Sequence, residues 1–162
     1  MAKQKSFLEW KKILNQLDSD TFGDLCEHLL EDMDFYGLNI KKGGADEGRD
    51  IEAKYDKLEP DKFTKTREQW FIECKRYSSG ISVDDVMNKV NWSIAEDADY
   101  VAFMSNSYLT KSAKKWVKKM SKRFKIRVIQ WTDNDFFRVL FKHLDTVKYF
   151  FPNEEIPDRF KK

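Results

Sequence analysis

The stretch Gly44-Ala45-Asp46-Glu47-Gly48-Arg49-Asp50-Ile51 is a glycine-flanked turn crowded with acids, and Phe71-Ile72-Glu73-Cys74-Lys75-Arg76-Tyr77 follows about one strand later. If the second stretch is extended, Glu73 and Lys75 project from one face roughly 7 Å apart, while Ile72 and Cys74 project from the other. A strand beginning near Asp50 and pairing with the Glu73 strand would bring a second carboxylate to the same place. Two carboxylates repel unless a cation lies between them, and donors that are all oxygen suit Mg²⁺ or Mn²⁺. Such an ion lowers the pKa of a bound water, polarises a phosphoryl oxygen and offsets charge on the leaving oxygen of an in-line displacement. Lys75 could orient or deprotonate the attacking water, or stabilise the charged transition state, and the sequence leaves these roles open. The ordinary alternative for an acid and a lysine on one strand face is an exposed cross-strand ion pair. Trp70, Phe71 and Ile72 argue against it, because an apolar run before the motif marks a buried strand and not an edge.

Positioning these groups requires strands held against helices, and the chain has the patterns for both. Phe7, Leu8, Ile13, Leu14 and Leu17 fall along one helical face. Asp18 or Ser19 then caps a second helix whose Phe22, Leu25, Cys26, Leu29, Leu30 and Met33 recur at three- and four-residue intervals, ending near Gly37. Strands are expected at about Leu38 to Lys42, Ile51 to Tyr55 and Gln69 to Tyr77, most simply an antiparallel meander. Ser82 with Asp85 is close to a capping box and opens a helix toward Ala98. A strand over Tyr100 to Ser105, a helix capped by Thr110, a strand over Ile126 to Trp131 and a helix from Asp133 to about Leu144 complete the order. This alternation predicts an α/β domain, with helices packed on a mixed sheet. Residues 1–145 form the expected domain, with 1–18 as an N-terminal helix and 19–145 as its core; 146–162 lose periodicity and are expected as a tail or linker.

The 162 residues suit one domain. With 30 Lys and Arg against 28 Asp and Glu the formal charge is only +2, so the distribution of charge carries the information. Lys111 to Arg127 contains no acid, and on the helix after Thr110 the residues Lys111, Lys114, Lys115, Lys118, Lys119 and Lys122 share one side while Ala113, Trp116, Val117 and Met120 share the other. A solvated lysine face is the ordinary reading of such a pattern; the lack of acids points equally to phosphate contact, which positions nucleic acid without reading its sequence. Cys26 and Cys74 alone support neither a disulfide framework nor a zinc site, and His28 and His143 have no metal-ligand spacing. Without a long apolar window or a leader pattern, a cytoplasmic protein with no membrane span is expected. There is no phosphate-binding loop, so any ATP dependence would come from a partner.

The acid-rich turn, the Glu73-Cys74-Lys75-Arg76-Tyr77 strand, the helix from Ser82 and the strand ending Met104-Ser105 resemble the Mrr-type branch of the PD-(D/E)xK nucleases. The similarity runs from about Thr21 to Leu144 and implies the restriction-endonuclease-like αβββαβ core. It implies metal-dependent hydrolysis of DNA phosphodiester bonds in restriction or antiviral defence, with Asp50, Glu73 and Lys75 catalytic. Asp50, Glu73 and the Cys74 backbone carbonyl would hold Mg²⁺ or Mn²⁺. Arg76 and Tyr77, which continue the motif, and Asp46 in the turn are candidates to meet nucleic acid, Asp46 equally reading as a turn cap; Tyr77 and Trp92 could also flank a strand of it. The resemblance further implies a fused or associated sensor or ATPase module, and cutting both strands would need a homodimer or higher oligomer. One departure stands out. The family commonly carries a glutamate directly after a phenylalanine in its first core helix, and here Phe22 is followed by Gly23. Glu27, one turn on, could supply the missing metal-side acid or be a surface residue, and Glu52 could be a further ligand or an outward-facing acid. Without that acid, the alternatives are a catalytically weak or inactive nucleic-acid-binding module of the same fold, or a nuclease acting on RNA or branched DNA.

Overall fold

The computed structural model describes residues 3–43 and 48–161. In chain order they form α1 (Phe7–Leu14), α2 (Ser19–Asp32), β1 (Tyr36–Lys42), β2 (Arg49–Leu58), β3 (Lys65–Cys74), α3 (Val83–Ala95), β4 (Tyr100–Ser105), α4 (Lys111–Arg123), β5 (Arg127–Thr132), α5 (Asn134–Leu140) and α6 (Leu144–Phe150). Ser6, Asp18, Ser82 and Thr110 each accept a hydrogen bond from the backbone N–H three residues on, which starts α1, α2, α3 and α4. Ser82 also donates to Asp85 Oδ2 at 3.0 Å, so this cap is reciprocal.

Two of the helices stop earlier than the hydrophobic pattern suggests, for one reason. After α2, Asp34 takes φ 73°, and after α3, Asp97 takes φ 55°. The N–H of Phe35 then bonds the carbonyl of Leu30, and that of Ala98 bonds the carbonyl of Ser93, closing both helices with left-handed caps. Glycine is the usual residue there, since a side chain strains the left-handed region, and an acid is additionally unfavourable at a helix C-terminus. Asp97→Gly should therefore raise stability by about 1 kcal/mol, read as a rise of about 2–4 °C in Tm by calorimetry; a lower Tm would refute this account of the cap.

The sheet has five strands in the order β1-β2-β3-β4-β5. β1, β2 and β3 are the expected antiparallel meander, and β4 and β5 add in parallel through α3 and α4. Alternation along the strands separates two cores. Ile51, Ala53, Trp70, Ile72, Cys74, Ala102 and Met104 face the side covered by α1, α2, α5 and α6. Phe71, Val101 and Phe103 face the other, against Val86 and Val90 of α3 and Ala113 and Val117 of α4. The odd-numbered residues of β3 therefore look toward α3, and this orientation decides where Glu73 points.

The C-terminal segment departs from the expectation of a tail. The helix foreseen from Asp133 to Leu144 ends at Leu140 as α5, a further helix, α6, runs from Leu144 to Phe150, and residues after 145 pack on the α1–α2 side. Thr146, Val147, Phe151 and Ile156 are buried, with Phe151 edge-on to Trp10 at 5.6 Å between ring centroids. Burying a phenylalanine stabilises by about 2 kcal/mol, so the segment belongs to the folded unit. Its aromatic residues lack periodicity because they meet Phe7 and Trp10 of α1 and His28 of α2, far away in the chain. No helix among the described residues is long and apolar enough to cross a membrane.

Candidate active site

β2 and β3 pair so that Arg49 lies opposite Cys74 and Asp50 opposite Glu73. Residues directly opposite in an antiparallel pair have Cβ atoms about 5 Å apart, and both acids are on the α3 face. Glu73 is only 4% exposed. The Tyr77 hydroxyl donates to Glu73 Oε1 at 2.6 Å. On the other side Lys89 of α3 brings its ammonium Nζ to 3.0 Å from both Asp50 oxygens and to 3.3 Å from Glu73 Oε2. Burial pushes the Glu73 carboxyl above its ordinary pKa despite the opposing pull of Tyr77 and Lys89. Burial works to lower the Lys89 pKa, but the bond to Asp50 and the charge of Glu73 outweigh it and leave the ammonium above its usual range. Asp50 and Glu73 thus both meet the Lys89 ammonium.

Lys75 follows β3, its N–H donating to the Met104 carbonyl at 3.2 Å and so extending the parallel ladder. Its ammonium lies 4.8 Å from the centre of the Tyr77 ring, and its stem runs past Gly48, where a Cβ would stand 3.1–3.2 Å from three Lys75 carbons. Gly48 therefore leaves the room through which Lys75 reaches the cleft that it shares with Asp50, Glu73 and Lys89. The cleft also touches Gly43, whose N–H bonds the Gly48 carbonyl at 2.6 Å and closes the β1–β2 connection. Asp46 lies outside the described residues.

Several residues expected at the site are elsewhere. Glu27 lies across the sheet, where its carboxylate pairs with Arg49. Arg49 alternates with Asp50 and so points to α2, where it is 2% exposed and also bonds Asp24 at 2.8 Å and Asp20 at 2.7 Å. Burial opposes its charge, but the bonds to Asp24 and Glu27 more than compensate and raise its pKa. This arrangement explains Gly23: a Cβ there would lie 2.7 Å from Arg49 Cδ and closer to the guanidinium. The glycine makes room for an arginine where an acid was anticipated. Arg76, expected against nucleic acid, donates its guanidinium to the carbonyls of Asn15 and Leu17 and ties down the α1–α2 connection. Tyr77, likewise expected there, does line the cleft, with its hydroxyl on Glu73. Glu52 pairs with Phe71 further along β2 and is not among the residues lining the cleft. Trp92 is exposed, with the Lys41 ammonium 5.9 Å from its ring. The buried Cys74 thiol, pushed well up by burial, sits 3.8 Å from the Met104 sulfur on the face away from the acids.

Sequence reasoning missed Lys89. The available signal was its place inside the α3 stripe, three residues after the buried Val86 and beside the buried Val90, where a lysine must point at the sheet. The α4 lysines Lys111, Lys114, Lys115, Lys118, Lys119 and Lys122 are all exposed. The Thr110 N–H bonds the Ile81 carbonyl at 3.0 Å, so α3 and α4 start side by side, after the C-terminal ends of β3 and β4.

Among the described residues no group of three or more Asp, Glu, His or Cys gathers at one point. Asp50 and Glu73 nevertheless fit a hard divalent ion, because their oxygens already surround one cationic centre and are hard donors.

A family model described as a restriction endonuclease, Mrr_cat, matches residues 14–140. The chain belongs to this Mrr restriction endonuclease family. The match takes in every strand of the Mrr sheet together with Asp50 and Glu73, and it stops at the end of α5. Among solved structures, the DNA modification-dependent restriction endonuclease AspBHI shares the fold with a TM-score of 0.62 and 16% identity, over 85% of this chain and 36% of that one. The MspJI restriction endonuclease, solved in complex with a 27-mer oligonucleotide, aligns with a TM-score of 0.51 and 9% identity, over 97% of this chain and 40% of that one. The chain therefore spans well under half of either structure. No curated protein matches it in sequence.

Proposed function

We propose that this chain is a divalent-metal-dependent endonuclease that hydrolyses DNA phosphodiester bonds in the restriction of invading DNA. The observation that carries the reading is the register of Asp50 with Glu73 about one cationic centre, beside Lys75. Asp50, Glu73 and the Cys74 carbonyl would hold Mg²⁺ or Mn²⁺. Such an ion would supply an activated water and offset charge developing on the phosphate. Tyr77 fixes Glu73 by its Oε1, leaving Oε2 beside the Lys89 ammonium that also meets Asp50. Lys75, steered by Gly48 and the Tyr77 ring, orients the attacking water or balances charge in the transition state. Plasmid cleavage in Mg²⁺, compared with Asp50→Ala and Lys75→Ala, tests the assignment, and undiminished cleavage by those variants would overturn it.

The exposed lysines of α4 would hold the backbone of the nucleic acid leading into the cleft. Replacing Lys111, Lys114, Lys115 and Lys118 by glutamine should weaken binding of unrelated duplexes alike. Each lost phosphate contact should reduce the slope of log affinity against log salt by about 0.9, as fluorescence anisotropy would measure. An unchanged slope would remove α4 from the interface. Since the described residues form one such cleft, cutting both strands calls for two copies, and the larger size of AspBHI and MspJI leaves room for a sensor module in a longer protein. The glycine at position 23 favours a second reading, a weakly catalytic DNA-binding module of the same fold. Retained salt-sensitive DNA binding with no Mn²⁺ uptake would select it.

A further inference from the structure

The cation between Asp50 and Glu73 is supplied by the chain itself. Lys89 is not a surface lysine that happens to reach two acids. Its helix turn is anchored by Val86 and Val90, both fully buried, and the Ser93 hydroxyl bonds its carbonyl at 2.7 Å. The helix thus places the Lys89 stem over the two acids, and its side chain is only 24% exposed. A divalent ion held by the same carboxylates would need the oxygens that the ammonium now contacts. Two cations so close in a half-buried cleft repel strongly, so ion and ammonium exclude one another there.

We infer that Lys89 is an internal counter-cation: it holds the carboxylate pair together in the free protein, yields its place when a divalent ion binds, and transfers its charge to a backbone phosphate of the nucleic acid. This rests on the metal-dependent reading given above. Its consequence is linkage between two ligands. The ion alone must displace Lys89 within a cleft where, among the described residues, the remaining carboxylate is Asp85, one turn back and already bonded to its helix cap. With nucleic acid present, the displaced ammonium meets a phosphate, so each ligand strengthens binding of the other by the same factor. Lys89 is then a positioning residue that keeps the site closed to metal until substrate arrives.

The test is Mn²⁺ titration by calorimetry on the full chain, on Lys89→Met and on Lys89→Arg, first without nucleic acid. Lys89→Met should bind Mn²⁺ about tenfold tighter than the unaltered chain, whereas Lys89→Arg, which keeps the charge, should stay within about threefold of it. A merely structural lysine would not give this contrast. Thermal melting supplies a second readout: Lys89→Met should melt lower than the unaltered chain without metal, because its carboxylates face each other uncompensated, and Mn²⁺ should restore the loss. The titrations are repeated with a short DNA duplex in a Lys75→Met background to keep it intact. The duplex should tighten Mn²⁺ binding about tenfold when Lys89 is present and by much less in Lys89→Met. Equal Mn²⁺ affinity of Lys89→Met and the unaltered chain, alongside metal-dependent plasmid cleavage, would overturn the inference and leave the nuclease reading standing. Absence of Mn²⁺ binding in every variant, with and without duplex, would overturn both.

Discussion

Asp50→Asn should cut plasmid DNA about a thousandfold more slowly than the unaltered chain in Mg²⁺, which corresponds to the loss of about 4 kcal/mol of transition-state stabilisation. The asparagine keeps the shape of the side chain and can still accept from Lys89, so β2, β3 and α3 should keep their places. What it removes is one of two negative charges on the cation site. Mn²⁺ binding should weaken together with the rate. Lys75→Met should lose a comparable factor in rate while leaving Mn²⁺ affinity nearly unchanged, because Lys75 stands beside the carboxylates and against the Tyr77 ring, not between the acids. The two variants thus separate holding the ion from using it. Asp50→Asn retaining full cleavage, or Lys75→Met losing activity only through metal affinity, would break the assignment of roles.

The second large effect concerns stability, and its sign is unusual. Glycine inside a helix is normally a weakness, and changing it to alanine gains about 0.5–1 kcal/mol. Gly23 lies within α2, yet Gly23→Ala should lower stability by about 3 kcal/mol, read as a fall in Tm of roughly 6–12 °C. The added methyl group would overlap Arg49, which is buried and held by Asp20, Asp24 and Glu27. Arg49 would have to leave, breaking several charge-assisted bonds and abandoning three acids on one helix face. Asp20 and Asp24 are largely exposed, which limits what their pairs contribute; Glu27 is more sheltered and counts for more. Restoring the family's acid by Gly23→Glu meets the same obstacle. A double-mutant cycle settles the cause: in an Arg49→Ala background Gly23→Ala should regain its ordinary stabilising sign. A destabilisation that persists without Arg49 would point to another neighbour.

Much of the fold was legible because its determinants are local. The starts of α2, α3 and α4 follow from Asp18, Ser82 and Thr110, whose side chains reach only three residues along the chain. β4 follows from a short apolar run bounded by polar residues, with the same limits, Tyr100–Ser105, in the pattern and in the fold. The helix ends were less legible, since Asp34 and Asp97 take a backbone conformation that composition assigns to glycine. The C-terminal segment was misjudged because aromatic residues without a period reveal nothing until Trp10 and Phe7 are placed beside them.

The candidate site divides in the same way. The chain by itself determined that Glu73 and Lys75 would leave β3 near one another and that an acid-rich turn would precede a partner strand, because strand alternation is a property of the backbone. Tertiary structure alone decided that Asp50 stands opposite Glu73 and that Lys89 enters between them, since strand register and the packing of a helix on a sheet depend on contacts remote in sequence. It also decided that Glu27 and Arg76 serve other partners. An ionised side chain near two possible partners goes where burial and geometry leave it best satisfied, and neither burial nor geometry is written in the spacing of residues along the chain.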